Sequence, residues 1–233
     1  MKALIVRGGW DGHHPVASTE LFLPFLRENG YEVRIEESPA VYADAAAMAD
    51  TDLIVQCVTM SEITGEQVAG LQGAVAAGTG LTGWHGGIAD SYRASADYLH
   101  LVGGQFVTHP ALAPELRVGG QEDNYLEHRI NLTDAGRTHP VTAGLADFTV
   151  TSEQYWVLHD DLCDVLATTT HPAEAWQPWH RPVTSPAVWT RQWGQGRIVV
   201  TTPGHTPDVL ADPSVRTIIE RGMLWATRTP AEK

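Results

Sequence analysis

Gly80-Leu81-Thr82-Gly83-Trp84-His85-Gly86-Gly87 reads as a short buried strand that runs straight into a sharp turn. Small residues at 83, 86 and 87 suit a turn whose backbone comes close to its own strand. Such an elbow presents its central side chain at the top of a sheet. That residue is His85, neither Ser nor Cys, so an acyl-enzyme route has no nucleophile here. A histidine in this position can act as general acid and base or as a metal ligand. The plainer alternative is a glycine-rich turn whose histidine makes only a local hydrogen bond.

Outward from the elbow, segments 2–6, 31–35, 52–57 and 80–83 are predicted strands, and 16–29 and 64–77 are predicted helices. Leu21 with Phe25 and Phe22 with Leu26 give helical spacing. Pro24 should kink that helix and Gly30 should stop it. Thr64 with Gln67 has the spacing of a capping box. Strands alternating with helices predict an α/β fold: a flavodoxin-like, open, mainly parallel sheet with helices on both faces. Ligands in such sheets bind at the carboxyl ends of the strands. Histidine-bearing loops fall there after the first and fourth strands and at His205. Further on, 105–109, 126–132, 148–158 and 165–169 read as strands or edge pieces. Segments 186–191 and 197–202 flank Gly194-Gln195-Gly196, a hairpin signal, and 214–226 closes as a helix. One domain over 1–228 is expected, with a loose tail at 229–233.

The 233 residues carry 15 Lys and Arg against 28 Asp and Glu, a net charge of −13. Nucleic acid or an anionic membrane would be repelled by most of that surface. No apolar run approaches the roughly 20 residues of a membrane-spanning helix. Residues 1–6 read as a first strand rather than a signal peptide. Two cysteines, Cys57 and Cys163, make no disulfide framework, which points to the reducing cytoplasm. The 11 histidines and 8 tryptophans suit proton transfer, metal binding and stacking on sugar rings.

Five motifs together resemble the trehalose-utilisation (ThuA-like) family over nearly the whole chain, about 2–226. They are Gly83-Trp84-His85-Gly86-Gly87, Gly103-Gly104-Gln105-Phe106 with His109-Pro110, His139-Pro140-Val141, Glu153 with Tyr155, and Gly194-Gln195-Gly196-Arg197 with Pro203-Gly204-His205. The resemblance implies a fold like that of class I glutamine amidotransferases and a role in carbohydrate metabolism. The implied substrates are glycosides of the trehalose type, or disaccharides oxidised at a ring carbon and then cleaved. The amidotransferases carry Cys at the elbow. This chain has His85, which disfavours glutaminase chemistry.

His85, Glu153 and His205 are the candidate catalytic residues. Gly204 allows a sharp exit before His205, and the resemblance implies a late histidine beside the elbow. Alternation puts Glu153, Tyr155 and Val157 on one strand face, where a carboxylate is costly unless paired or used. Trp10, His14, Trp84, His109 and Tyr155 are the candidate substrate-binding residues. Of the consecutive His13 and His14, His14 is the one expected to face inward, because Pro15 fixes its exit into the helix. Pro110 holds His109 extended, and Trp84 could stack on a sugar. His100, His128, His159, His171 and His180 read as surface residues. Neither Cys-x-x-Cys nor a helical His-x-x-x-His is present, so no cofactor is assigned. Loops carrying His14, His85, Glu153 and His205 still leave a divalent metal open. The expected partner is a small sugar or glycoside, and a homo-oligomer is compatible with the sequence. The reading is thus an enzyme using His/Glu acid–base chemistry on trehalose-type or keto-glycosides. A non-catalytic carbohydrate-binding or regulatory protein and a metal-dependent hydrolase stand as alternatives.

Overall fold

Hydrophobic alternation in the first strand sets the layers. In the computed structural model, which describes residues 1–228, strand β1 (Lys2–Gly9) sends Ala3 and Ile5 to one side and Leu4 and Val6 to the other. The tail read as loose, 229–233, lies outside the described residues. Parallel neighbours β2 (Glu32–Glu36), β3 (Leu53–Thr59), β4 (Gly80–Trp84) and β11 (Gly196–Thr201) extend the sheet. Four antiparallel strands continue it: β10 (Val183–Trp193), β9 (Asp164–His171), β6 (Tyr125–Leu132) and β7 (Phe148–Glu153). The order is β2-β1-β3-β4-β11-β10-β9-β6-β7, and β5 (Gly104–Thr108) pairs with β8 (Trp156–His159) in a separate ribbon.

Helices cover both faces. Helices α1 (Pro15–Glu20), α2 (Leu23–Glu28), α8 (Pro207–Leu210) and α9 (Pro213–Ala226) close the layer containing Ile5, Val55 and Trp84. Helices α3 (Ala45–Ala49), α4 (Gly65–Ala76) and α6 (Ala96–Val102) close the layer containing Leu4, Ile54 and Trp189. The short α5 (Gly86–Ala89) follows the elbow, and α7 (Asp134–Thr138) lies against β9. Among the described residues no helix is long and apolar enough to cross a membrane.

The expected open α/β sheet is present, with its parallel half where the alternation placed it. Helix 16–29 is two helices rather than one kinked helix. Pro24 lacks the N–H a continuous helix would need, and the chain turns at Leu21-Phe22 instead. The α4 cap forms as a reciprocal Thr64–Gln67 box. Segment 148–158 divides at Gln154-Tyr155, because β7 pairs with β6 whereas β8 crosses to β5. Cys57 and Cys163 are free. Burial pushes their thiols up to about 12 and about 11, so neither supplies a thiolate near neutral pH.

His128 and His171, read as surface residues, are buried. His171 stacks on Trp156 with centroids 5.1 Å apart and donates from Nε2 to the Tyr155 carbonyl at 3.2 Å. Burial pushes its imidazole from the ordinary 6.5 down to about 4. The unfolded chain therefore binds a proton at this residue before the folded chain does. Stability should fall with pH between about 6.5 and 4, by up to about 3 kcal/mol from this group. Urea unfolding across that window should show a shallower slope in His171→Gln. Equal slopes in variant and wild type would remove His171 from the account.

Candidate active site

The carboxyl-terminal ends of three parallel strands, β1, β4 and β11, converge with the end of β7. At the end of β1, Gly8 and Gly9 lead into a 3-10 turn, Asp11–His13, which ends with His13 buried. After β4, His85 takes φ 49° and ψ −139°. That is the strained, positive-φ geometry of an elbow. Its N–H is held by the Thr201 carbonyl at 2.7 Å. Two glycines make the bend feasible. A Cβ on Gly87 would come within 2.8 Å of the Cys57 backbone, and one on Gly86 would meet the His13 ring at 2.4 Å. After β11, Thr202-Pro203-Gly204 delivers His205, 1% exposed. Glu153 closes β7, in register with Tyr125 on β6.

Glu153 Oε2 lies 3.1 Å from His85 Nε2 and 3.1 Å from His205 Nδ1. His205 Nδ1 is 3.2 Å from His85 Nε2. His13 Nε2 reaches the same oxygen at 4.0 Å, and His109 Nε2 lies 3.6 Å from Oε1. Outer contacts orient the rings. His85 Nδ1 donates to the Thr202 carbonyl at 2.8 Å, and His13 Nδ1 sits 2.9 Å from Thr59 Oγ1. Tyr155 covers His85 with centroids 3.9 Å apart.

Charge follows from this packing. Burial opposes ionisation of Glu153, but the close approach of His205 and His85 outweighs it and holds the carboxyl below its usual range. Burial pushes His13 down to about 2, with His85 and His205 adding to the effect. His85 is also pushed down by burial, against the pull of Glu153. Four histidines thus surround an ionised Glu153. A neutral His85 whose Nδ1 is the donor then turns an acceptor Nε2 toward an acceptor oxygen. That contact calls for a shared proton or a cation. The ligand atoms of His13, His85, Glu153 and His205 all lie within 4.8 Å of one another, so the same groups can hold either.

The sequence model of the ThuA family, trehalose utilisation, matches residues 2–226. The chain belongs to the ThuA family. A putative ThuA-like protein from Bacteroides uniformis is 17% identical, with TM-score 0.71, covering 97% of this chain and 91% of its own. One from Parabacteroides merdae is 16% identical, with TM-score 0.71 and coverage of 97% and 89%. A cytoplasmic protein from Salmonella typhimurium is 15% identical, with TM-score 0.64 and coverage of 98% and 100%. At these identities the likeness is one of fold. No curated protein sequence matches the chain.

In this ThuA-family chain the structure brings together His85, Glu153, His205, His109 and Tyr155. Trp10 stands at the rim, 37% exposed, with its ring 4.8 Å from His13. Two sequence expectations are corrected. His14 is exposed and His13 is the inward residue. His14 takes φ 47° just before α1, which leaves its side chain outside while the preceding turn aims His13 at Thr59. Trp84 lies under the sheet, 2% exposed, with its ring 4.9 Å from Phe22. It alternates away from the pocket and offers no face to a sugar. Sequence reading also missed Thr59 and Tyr125, whose ring lies 5.1 Å from His205. Thr59 was legible as a polar residue at a strand end. Tyr125 depends on the β6–β7 register, for which the sequence carried no signal.

Proposed function

We propose that this ThuA-family chain acts on trehalose-type glycosides oxidised to a ketone on the sugar ring. Glu153, His85 and His205 hold and move the proton. The supporting observation is the three-way contact of these groups at 3.1–3.2 Å, buried at the carboxyl edge of the sheet where such folds bind ligands. A ring ketone acidifies the adjacent C–H. The centre takes that proton, an enolate forms, and electrons returning from it expel the glycosidic oxygen two carbons from the ketone. The departing oxygen receives a proton, and the sugar keeps a carbon–carbon double bond conjugated to the ketone. Returning the proton to a different atom of the enolate would instead isomerise the sugar. His109, at the mouth beside Glu153 Oε1, links the centre to solvent. Trp10 at the rim is placed to meet a ring face. The setting we assign is the cytoplasm, and the partner is a small glycoside.

Incubation with 3-keto-trehalose, followed by NMR, tests the reading. Release of free glucose together with an unsaturated keto-sugar supports elimination. Solvent deuterium appearing beside the ketone without cleavage supports isomerisation. An inert substrate, with no deuterium uptake, overturns it.

A further inference from the structure

We infer that His13, His85, His205 and Glu153 form a binding centre for one divalent first-row transition ion of the zinc type. The inference goes beyond the acid–base reading, and rests on it only for what the bound ion does, not for whether it binds. His85 Nε2, His205 Nδ1 and Glu153 Oε2 form a triangle with edges of 3.1, 3.1 and 3.2 Å. Ligands about 2.1 Å from one ion are separated by about 3.0 Å at octahedral angles and about 3.4 Å at tetrahedral ones. The observed edges fall between these values. His13 Nε2, 4.0 Å from the carboxylate oxygen, supplies a fourth donor after a small ring rotation.

Three features separate this cluster from an incidental group of polar residues. First, all four residues are buried, between 1% and 7% exposed. Second, the outer hydrogen bonds already select the ligating tautomers. The Thr202 carbonyl requires a proton on His85 Nδ1, leaving the Nε2 lone pair aimed at the centre. Thr59 Oγ1 can do the same for His13 by accepting from Nδ1. Ligating histidines are ordinarily oriented by such partners. Third, His205 Nε2 is buried without a partner among the described residues, so the ring is fixed by what its Nδ1 binds. A cation also resolves the acceptor facing acceptor between His85 Nε2 and Glu153 Oε2. Three imidazoles and one carboxylate select zinc, cobalt, nickel, iron or manganese over magnesium or calcium, which take oxygen ligands. With the ion bound, His85 and His205 are ligands. Glu153 Oε1, beside His109, would then be the group left to carry a proton, and the ion would polarise the ketone oxygen.

The test uses the full chain stripped with dipicolinate and titrated with Co²⁺, read by visible absorption. One equivalent per chain with submicromolar affinity is expected. Zn²⁺ should displace it and raise the melting temperature by several degrees. His13→Ala and His205→Ala should each weaken binding at least tenfold, whereas His14→Asn, on the exposed neighbour, should leave it unchanged. Should a variant misfold, the wild-type spectrum and stoichiometry still decide. Absence of a ligand-field spectrum, binding well below one equivalent, or affinity insensitive to His13 and His205 would overturn the inference. Full turnover of keto-trehalose by stripped protein would remove the ion from the chemistry while leaving the acid–base reading intact. Stoichiometric Co²⁺ with an inert substrate would do the reverse.

Discussion

Glu153→Gln should reduce turnover of a keto-disaccharide by about 10²–10⁴-fold, the usual contribution of a positioned proton-transfer group. The melting temperature should move by only a few degrees. Wild-type Glu153 Oε2 faces the His85 Nε2 lone pair at 3.1 Å. A glutamine amide placed there donates to that nitrogen, so one acceptor–acceptor contact becomes an ordinary hydrogen bond. The variant keeps the size and reach of the side chain but can neither accept a proton nor carry a charge. Stopped assays with 3-keto-trehalose and a thermal melt on the same preparation would check both halves. If turnover survives within a few-fold, Glu153 only positions the rings, and the proton must travel through His85 and His205. His85→Gln then becomes the deciding variant, because glutamine cannot titrate. If turnover is lost together with the fold, the substitution reports packing rather than chemistry.

The parallel half of the fold was legible because its signals are local. Short continuous apolar runs mark β1 and β3, Thr64 with Gln67 marks the start of α4, and Pro24 marks the break between α1 and α2. The antiparallel half was only partly legible. Gly194-Gln195-Gly196 announces the β10–β11 hairpin, but no local feature says that β9 pairs with β6, or that β6 pairs with β7. Those pairings join distant segments, and their register places Tyr125 beside Glu153. The site shows the same division. His85 was visible because an elbow needs glycines on both sides. Glu153 was visible because a carboxylate on an apolar strand face needs a reason. The choice between His13 and His14 turned on a backbone angle and on the missing Cβ of Gly86, against which the His13 ring packs. Pro15 suggested the wrong histidine, because it constrains the chain after His14 without setting the direction of the His14 side chain.

Trp84→Ala should cost about 3–5 kcal/mol, the range for truncating a buried large aromatic residue. In a chain of this length that corresponds to a fall of roughly 10 °C in melting temperature. Parity along β4 explains the role. Leu81 belongs to one layer and Trp84 to the other, so the tryptophan beside His85 points into the core beneath it. There it meets Phe22 and the backbone of the loop carrying His205. A Cβ on Gly204 would lie 3.2–3.3 Å from the Trp84 side chain. Trp10→Ala supplies the contrast. Trp10 is 37% exposed at the rim, so its removal should shift stability by no more than about 0.5 kcal/mol while raising KM for the glycoside. Calorimetry of both variants, with KM measured at a temperature where both are folded, separates the two tryptophans. A large KM increase in Trp84→Ala with an unchanged melting temperature would return Trp84 to the pocket. A Trp10→Ala protein with wild-type KM would remove the rim tryptophan from substrate binding and leave the sugar to be held by the buried polar centre alone.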